Sequence, residues 1–138
     1  FTPSAGAWTG VYKVVGGTVS FASVVHKSLL YVCGGDRGDS RGLNSAHRFH
    51  HKLTAWEPLP PMLTHRSGAV AAALPTGDIL VCGGCTGTAE TATASVECFR
   101  AGVAAWERLA PMLRPRIFPS SVVLGGSHRG DVHQRPAE

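Results

Sequence analysis

Long apolar runs are missing from this sequence, and its best uninterrupted stretch covers only residues 68–75. A helix that crosses a bilayer needs roughly 20 such residues, so no membrane-spanning helix is expected. Charge is also scarce, at 16% of the 138 residues against 43% hydrophobic residues. Disordered chains have the opposite balance, so a folded chain is predicted. Nothing resembles a signal peptide, and the start at Phe1 without methionine is interpreted as an excised or processed piece of a longer protein.

The charge balance is weakly basic. Thirteen Lys and Arg residues against nine Asp and Glu residues give a net charge of +4 and a pI near 9.2. Nucleic-acid binding must be considered at such a pI. The basic residues are scattered, however, with one mild concentration at Arg100, Arg108, Arg114 and Arg116. Scattered charge is typical of a solvated surface, so nucleic acid is not the predicted partner.

Four cysteines are present, at positions 33, 82, 85 and 98. Cys82 and Cys85 form a C-x-x-C pair that Cys98 follows, so a zinc site must be considered, although a tetrahedral site needs a fourth ligand. Cys33 and Cys82 occupy equivalent places in the repeat described next, which favours small buried side chains. Without a secretory signal, free thiols and an intracellular, cytoplasmic location are expected.

The sequence repeats itself with a period of about 50 residues. Residues 56–63, Trp-Glu-Pro-Leu-Pro-Pro-Met-Leu, recur as residues 106–113, Trp-Glu-Arg-Leu-Ala-Pro-Met-Leu. Arg66 matches Arg116 in the same register, and Val-Cys-Gly-Gly at residues 32–35 recurs at residues 81–84. The chain is therefore predicted to contain two copies of one structural unit.

Each period contains four short apolar or alternating segments, separated by turn residues. In the second copy they are residues 69–74, 79–82, 94–99 and 103–109. Pro75, Gly77 and the double glycine at 83–84 separate the first three, because these residues favour turns. Such segments are too short for helices and predict a four-stranded antiparallel meander. Its apolar face must pack on a neighbouring unit.

These features resemble the kelch repeat. The resemblance rests on the double glycine, the segment Ser95-Val96-Glu97-Cys98-Phe99, the tryptophan that follows, and the tail L-x-P-M-x-x-x-R. It implies an all-β fold made of kelch-type β-propeller blades, arranged around a central channel. The first copy departs from the second in having His47 in place of Glu97 and Gly17 where later copies have arginine.

The resemblance divides the chain into five parts. Residues 1–17 are a remnant of a preceding blade, 18–66 and 67–116 are kelch repeats, 117–126 are the first strand of a further blade, and 127–138 are an irregular polar tail. At least four blades close a propeller, so this chain alone forms an incomplete ring. Further blades, from the same longer chain or from neighbouring chains, are expected to cover its edges.

The recurring residues are interpreted as structural. The tryptophan rings are expected to pack between blades, with each indole N–H bonded to a carbonyl. The methionines are expected to fill space near the blade edge. The full set is Gly34, Gly35, Trp56, Met62, Gly83, Gly84, Trp106 and Met112.

Surface loops are the predicted binding site for a partner protein. In a four-stranded meander, the loop between strands two and three leaves on the same face as the connection to the next blade. Arginine on such loops suits bidentate pairing with an acidic peptide. The candidates are Arg37, Asp39, Arg41, His65, Arg66, Glu90, Arg114 and Arg116. In kelch proteins this face captures partner proteins, including substrates of cullin-type ubiquitin ligases, and the resemblance implies the same here.

No catalytic residue, metal or cofactor is predicted. A nucleophile elbow, a P-loop and a G-x-G-x-x-G after a strand are all missing. His47 and His51 would share one face of a strand and His50 the other, so the three do not converge easily on a metal. Some kelch propellers are copper oxidases with Tyr, Cys and His ligands. The two tyrosines here, Tyr12 and Tyr31, lie in or near strands, so that activity is not carried over.

The sequence therefore predicts a non-enzymatic module that binds another protein. Two alternatives stay open: a structural subunit of a large assembly, with blade edges covered by other chains, and part of a propeller enzyme whose active site lies elsewhere. Arg37-Gly38-Asp39 and Arg129-Gly130-Asp131 also spell the cell-adhesion tripeptide. Polar turns use the same residue types, and the significance of the two copies is left open.

Overall fold

The computed structural model describes residue 14 and residues 18–39, 41–87 and 91–124. Within these ranges every regular element is a β-strand, and no helix with the length and hydrophobicity of a membrane span is found. The predicted all-β fold is confirmed. Of the predicted preceding-blade remnant, residues 1–17, only Val14 lies within these ranges. Residues 125–126 and the predicted polar tail, residues 127–138, lie outside them.

Ten strands occur in the described residues. They are β1 (Ala22–His26), β2 (Leu29–Cys33), β3 (Ala46–His50), β4 (Ala55–Leu59), β5 (Val70–Ala73), β6 (Ile79–Cys82), β7 (Cys85–Thr86), β8 (Thr91–Ala92), β9 (Val96–Arg100) and β10 (Ala105–Leu109).

Two four-stranded antiparallel sheets correspond to the two copies of the repeat. The first has the strand order β1-β2-β3-β4, and the second has the order β5-β6-β9-β10. These are the predicted meanders. The β6–β9 connection, which the polar sequence predicted as a loop, instead contains the small hairpin β7-β8. Thr86 and Thr91 pair in it, as β-branched residues readily do.

Cross-strand aromatic pairs show that the two sheets have the same internal register. Phe49 lies opposite Trp56 in the first sheet, and Phe99 lies opposite Trp106 in the second. The ring centroids are 5.1 Å apart in the first pair and 5.4 Å in the second. The sequence repeat is thus a structural repeat, with equivalent residues at equivalent places in the two sheets.

The hydrophobic core lies between the two sheets. Its buried members from the first copy are Ala22, Tyr31, Cys33, Ala46 and Met62, and those from the second are Ala71, Ile79, Val81, Phe99 and Trp106. The Trp106 Nε1–H donates a hydrogen bond to the Pro60 carbonyl oxygen of the first copy, at 2.8 Å. One face of each meander is therefore buried against its neighbour, as a stacked repeat requires.

The double glycines allow the chain to pass close to the end of each second strand. Gly34 and Gly83 have φ angles of 68° and 67°, in the left-handed region that favours glycine. A Cβ atom on Gly83 would lie 2.7 Å from the Arg116 carbonyl oxygen, and one on Gly34 would collide with the Arg66 carbonyl oxygen. The neighbouring amide N–H groups of Gly35 and Gly84 donate to these same carbonyls, at 2.9 and 2.8 Å.

The segment after the second sheet differs from the expectation for the first strand of a further blade. Its described part, residues 117–124, contains no strand. It is attached to the second copy by two hydrogen bonds, from Phe118 N–H to the Gly68 carbonyl and from Ser121 Oγ to the Ala71 carbonyl. A strand requires a hydrogen-bonded neighbour, and no described segment pairs with this one.

Replacing Gly83 with alanine is expected to destabilise the protein more than replacing Gly87. Gly87 has a similar φ of 70°, but a Cβ there would meet nothing within 4 Å. Gly87→Ala should therefore lower the free energy of unfolding by only the left-handed conformational cost, about 1–2 kcal/mol. Gly83→Ala adds the collision with the Arg116 carbonyl. Urea unfolding of both variants measures the difference, and equal losses would contradict the close-approach explanation.

Candidate functional site

The loop face is the end of the sheets where the connections after β2, β4 and β6 meet, and we define it by residues 34–39, 41–45, 60–69 and 83–87. Backbone hydrogen bonds join these connections. The Arg66 N–H donates to the Leu43 carbonyl at 2.9 Å, and the Ser67 N–H donates to the Cys85 carbonyl at 3.1 Å. The loop face is therefore a connected platform that spans both copies of the repeat.

A pocket of about 630 Å³ opens on the loop face between the two copies. Arg41 and His65 from the first copy line it, together with Thr86 and Arg108 from the second. No carboxylate lies among its lining residues, and Arg41 and Arg108 form no ion pair with any described residue. The pocket is a cationic cleft suited to carboxylates.

Arg108 was missed by sequence reasoning because it lies in a strand, β10, rather than in a loop. A signal was nonetheless present. The repeat places Pro58 in the first copy where Arg108 stands in the second. A departure from the repeat at an exposed strand position is a sign of a role outside the common fold.

Two aspartates shape the β2–β3 connection. Asp36 accepts hydrogen bonds from the Ser67 hydroxyl at 2.6 Å and from the Gly38 N–H at 2.8 Å. These two bonds, the one from Ser67 first, hold the pKa of Asp36 below its ordinary value because they stabilise the carboxylate. Asp39 accepts from the Arg41 N–H at 3.1 Å. The carboxylates thus order the backbone on either side of Arg37.

Arg66 lies inside the protein, which corrects its sequence-based assignment to partner binding. Its side chain is 0% exposed and forms an ion pair of 2.7 Å with Glu97, which is also 0% exposed. It also donates to the Gly83 carbonyl and to the Ser95 hydroxyl, both at 2.9 Å. A guanidinium that is completely covered cannot contact a partner. Arg66 therefore has a structural role.

Glu97 receives a second bond from the first copy. The Leu63 N–H donates to its Oε2 at 2.7 Å, while Arg66 occupies Oε1. Both donors belong to the connection that follows β4, and the acceptor lies in β9 of the other sheet. Two hydrogen bonds to one carboxylate therefore hold the two copies together, and the bond from Arg66 is charge-assisted.

Arg116 occupies the position of Arg66 in the second copy but has an exposed side chain. The backbone contacts agree, since the Arg116 carbonyl accepts from Gly84 N–H as the Arg66 carbonyl does from Gly35 N–H. Among the described residues, no carboxylate therefore pairs with Arg116 in the way that Glu97 pairs with Arg66.

The remaining predicted contact residues are divided between several places. Arg37, Asp39 and Arg114 are exposed but do not line the pocket. Glu90 lies outside the described residues. The structure therefore brings Arg41 and His65 together at the pocket.

The residues interpreted as structural lie at the junctions of the copies. Trp106 and Met62 are buried, whereas Trp56 and Met112 are half-buried. Gly34, Gly35, Gly83 and Gly84 are all buried at the ends of β2 and β6.

The four cysteines are free thiols. Burial raises the pKa of the Cys33 thiol to about 12, and burial also raises the pKa values of Cys82 and Cys98. A raised thiol pKa reduces the thiolate that nucleophilic attack and metal binding require. In the part of the chain that the structure describes, no group of three or more His, Cys, Asp or Glu side chains could hold a metal ion.

Comparison with known proteins agrees with the repeat. The Kelch motif family matches residues 14–63 and again residues 65–113. This chain belongs to the kelch-repeat family. The two matches contain the two four-stranded sheets, so each sheet is a kelch blade.

Curated relatives include Kelch-like protein 40 of Xenopus tropicalis, 31% identical over 116 residues, and Kelch-like protein 40 of Xenopus laevis, 32% identical over 116 residues. Each alignment covers 84% of this chain and 18% of the relative. The chain thus spans less than a fifth of the length of these kelch-like proteins.

Solved structures with the same fold include a fungal alcohol oxidase of the AA5 family in complex with copper. The TM-score is 0.64 at 20% sequence identity, with 72% of this chain and 23% of the oxidase covered. At this identity the likeness concerns the fold alone. It agrees with the propeller arrangement of the kelch blades.

Arg66→Ala and Arg116→Ala are expected to have very different effects on stability. Arg66→Ala leaves the Glu97 carboxylate buried without its partner, which costs about 3–5 kcal/mol of unfolding free energy. Arg116→Ala removes an exposed side chain and should change it by no more than about 0.5 kcal/mol. Urea denaturation followed by circular dichroism measures both. Similar losses in the two variants would contradict the structural role of Arg66.

Proposed function

We propose that this kelch segment is a non-enzymatic interaction module that binds an acidic segment of a partner protein in the loop-face pocket. The observation that carries the proposal is the convergence of Arg41, His65 and Arg108 on one cleft with no lining carboxylate. Guanidinium groups pair with carboxylates through two parallel hydrogen bonds, which gives both affinity and orientation.

The composition of the pocket supports binding rather than catalysis. His65 has the kind of side chain that commonly acts as a general acid or base, but no carboxylate among the lining residues orients it. Thr64 and Thr86 also line the pocket and offer hydroxyl groups that can hydrogen-bond a peptide backbone. Leu63 adds an exposed apolar contact beside the cations.

The finer proposal concerns the cellular role. Kelch propellers that resemble this chain present substrates to cullin-type ubiquitin ligases, and we extend that role to this segment as its substrate-recognition part. The same resemblance supports an intracellular, cytoplasmic setting, in which the free thiols of the four cysteines would stay reduced.

A charge-matched pair of double variants tests binding at the loop face. Arg41→Gln with Arg108→Gln removes two positive charges from the pocket, and Lys27→Gln with Lys52→Gln removes two from the opposite end of the first sheet. A fluorescein-labelled glutamate-rich peptide is titrated with each protein, and fluorescence anisotropy measures the affinity. The loop-face variant is expected to weaken binding about tenfold or more, because two charge-assisted contacts are lost.

The lysine variant serves as the control for net charge and should change the affinity less than about threefold. Equal weakening in both variants would mean that the peptide responds to overall charge alone. Undetectable binding to the wild-type protein at low salt would also contradict an acidic partner at this pocket.

A second function is favoured by Arg116. We infer that the open end of the second blade, defined by Arg116, Phe118, Val122 and Leu124, accepts another β-sheet that carries a carboxylate. All four side chains are exposed, and Leu124 is 85% exposed. The precedent is the burial of Arg66 against Glu97 one repeat earlier. This segment would then be a structural part of a larger assembly whose neighbouring chain or blade covers this end.

Substituting His47 with glutamate tests this second function. His47 stands in the first blade where Glu97 stands in the second, and it is half-buried beside the edge of Trp56. His47→Glu supplies the missing carboxylate, so it should promote head-to-tail association with Arg116 of a second copy. Sedimentation velocity over a range of concentrations measures association. The variant His47→Glu with Arg116→Glu should lose it, and equal behaviour of both variants would contradict the inference.

A further inference from the structure

A second pocket, of about 370 Å³, lies at the end of the first blade opposite the loop face. The β1–β2 turn and the β3–β4 turn form it, through Lys27, Ser28, His51, Lys52 and Leu53. The strand register shows that the pocket lies at this end, because it adjoins a row of paired residues across the sheet, His26, Leu29, His50 and Ala55. Ala22, Cys33, Ala46 and Leu59 form the row at the loop face, four residues or about 13 Å away.

The same place in the second blade is occupied by a carboxylate. Asp78 accepts a hydrogen bond from Arg100 at 2.8 Å and another from the Ala101 backbone N–H at 3.1 Å. Arg100 also pairs with Glu107. In the second blade, the Asp78 carboxylate is thus hydrogen-bonded to the start of the β9–β10 turn.

In the first blade this carboxylate is replaced by an apolar residue. Leu30 pairs with Phe49 in the first sheet, as Ile79 pairs with Phe99 in the second. Leu29, which lies opposite His50, therefore stands in the first blade where Asp78 stands in the second. The backbone N–H equivalent to that of Ala101 belongs to His51. The first blade therefore has the equivalent turn, between β3 and β4, but no carboxylate at the position of Asp78 to bind to it.

Two of the surrounding substitutions add positive charge, and His50 stands in place of Arg100. Lys27 and Ser28 replace the turn Pro75-Thr76-Gly77, and Lys52 replaces Gly102. Lys27 and Ser28 both have positive φ, 46° and 66°, as a two-residue hairpin turn of this type requires. Neither lysine forms an ion pair with a described residue. The first blade thus has two ammonium groups where the second has the Asp78 carboxylate and the Arg100 guanidinium.

Two histidines complete the pocket, and the structure distinguishes their roles. His50 Nε2 lies 3.0 Å from Glu57, which also pairs with Arg48 at 2.7 Å, so the charge of Glu57 is already engaged. His51 Nδ1–H donates to the Ser28 carbonyl at 3.1 Å and so ties the two turns together. Because Nδ1 carries that proton, Nε2 is the nitrogen left for a ligand.

We propose that this pocket binds a phosphoryl group carried on a side chain of a partner peptide. A phosphoryl dianion matches two ammonium groups better than a single carboxylate does, and lysine is a common phosphate ligand as a point charge. The pocket has room for more than a phosphate ion. Leu53 is 70% exposed at its rim and offers a contact for an apolar residue beside the phosphorylated one.

Isothermal titration with four probes tests the proposal on the full chain. The probes are a phosphoserine peptide with a neighbouring leucine, its unphosphorylated twin, inorganic phosphate, and vesicles that contain phosphatidic acid. The phosphopeptide is expected to bind at least about tenfold more tightly than its twin and than inorganic phosphate. Equal affinity for inorganic phosphate, or binding to the vesicles without binding to the phosphopeptide, would overturn the proposed source of the phosphoryl group.

Charge-matched variants locate the site. Lys27→Gln with Lys52→Gln should weaken phosphopeptide binding about tenfold or more, whereas Arg37→Gln with Arg114→Gln, at two exposed arginines outside both pockets, should change it less than about threefold. Both lysines are exposed turn residues, and thermal unfolding should show that the variants keep the wild-type midpoint. Equal weakening in the two double variants would overturn the proposal, because it would show a response to net charge.

Discussion

The buried ion pair between Arg66 and Glu97 connects the two blades, and the arrangement of the other residues depends on it. It joins the segment after β4 to the third main strand of the next sheet, and Leu63 N–H uses the second oxygen of the same carboxylate. Charges buried in this way are stabilising only when every partner is present. The pair therefore sets how the second blade sits on the first, and with it the position of Arg41 relative to Arg108.

The two blades differ in surface chemistry where their sequences depart from the repeat. Where the copies agree, as in the double glycines and the Phe–Trp pairs, the residues build the sheet and its packing. Where they differ, the surface chemistry changes. Arg108 lines the loop-face pocket, whereas the first blade has Pro58 at the equivalent position, and Leu29 with two nearby lysines stands in the first blade where the second has Asp78. Two surfaces of different chemistry, one rich in guanidinium groups and one in ammonium groups, result from one repeated scaffold.

Much of the fold could be predicted from the chain, because periodic turn residues and apolar segments determine local strands. The hairpin β7-β8 was not predictable, since its two short strands have no apolar pattern. The site was less accessible to sequence reasoning. Arg66 and Arg116 are equivalent in sequence, yet one is covered by the next blade and the other is exposed. Burial of a side chain depends on its neighbours in space, and no local pattern encodes it.

The sequence alone determined that this protein contains two copies of a four-stranded meander, because the spacing of glycine, tryptophan and proline limits the backbone to short antiparallel strands. The kelch family followed from the resemblance of these copies to the kelch repeat. Tertiary structure decided which of its charged residues are exposed and which are buried. The packing of one blade on the next covers Arg66 and brings Arg41, His65 and Arg108 to one cleft, since these residues come from segments far apart in the chain and meet only when the two sheets stack.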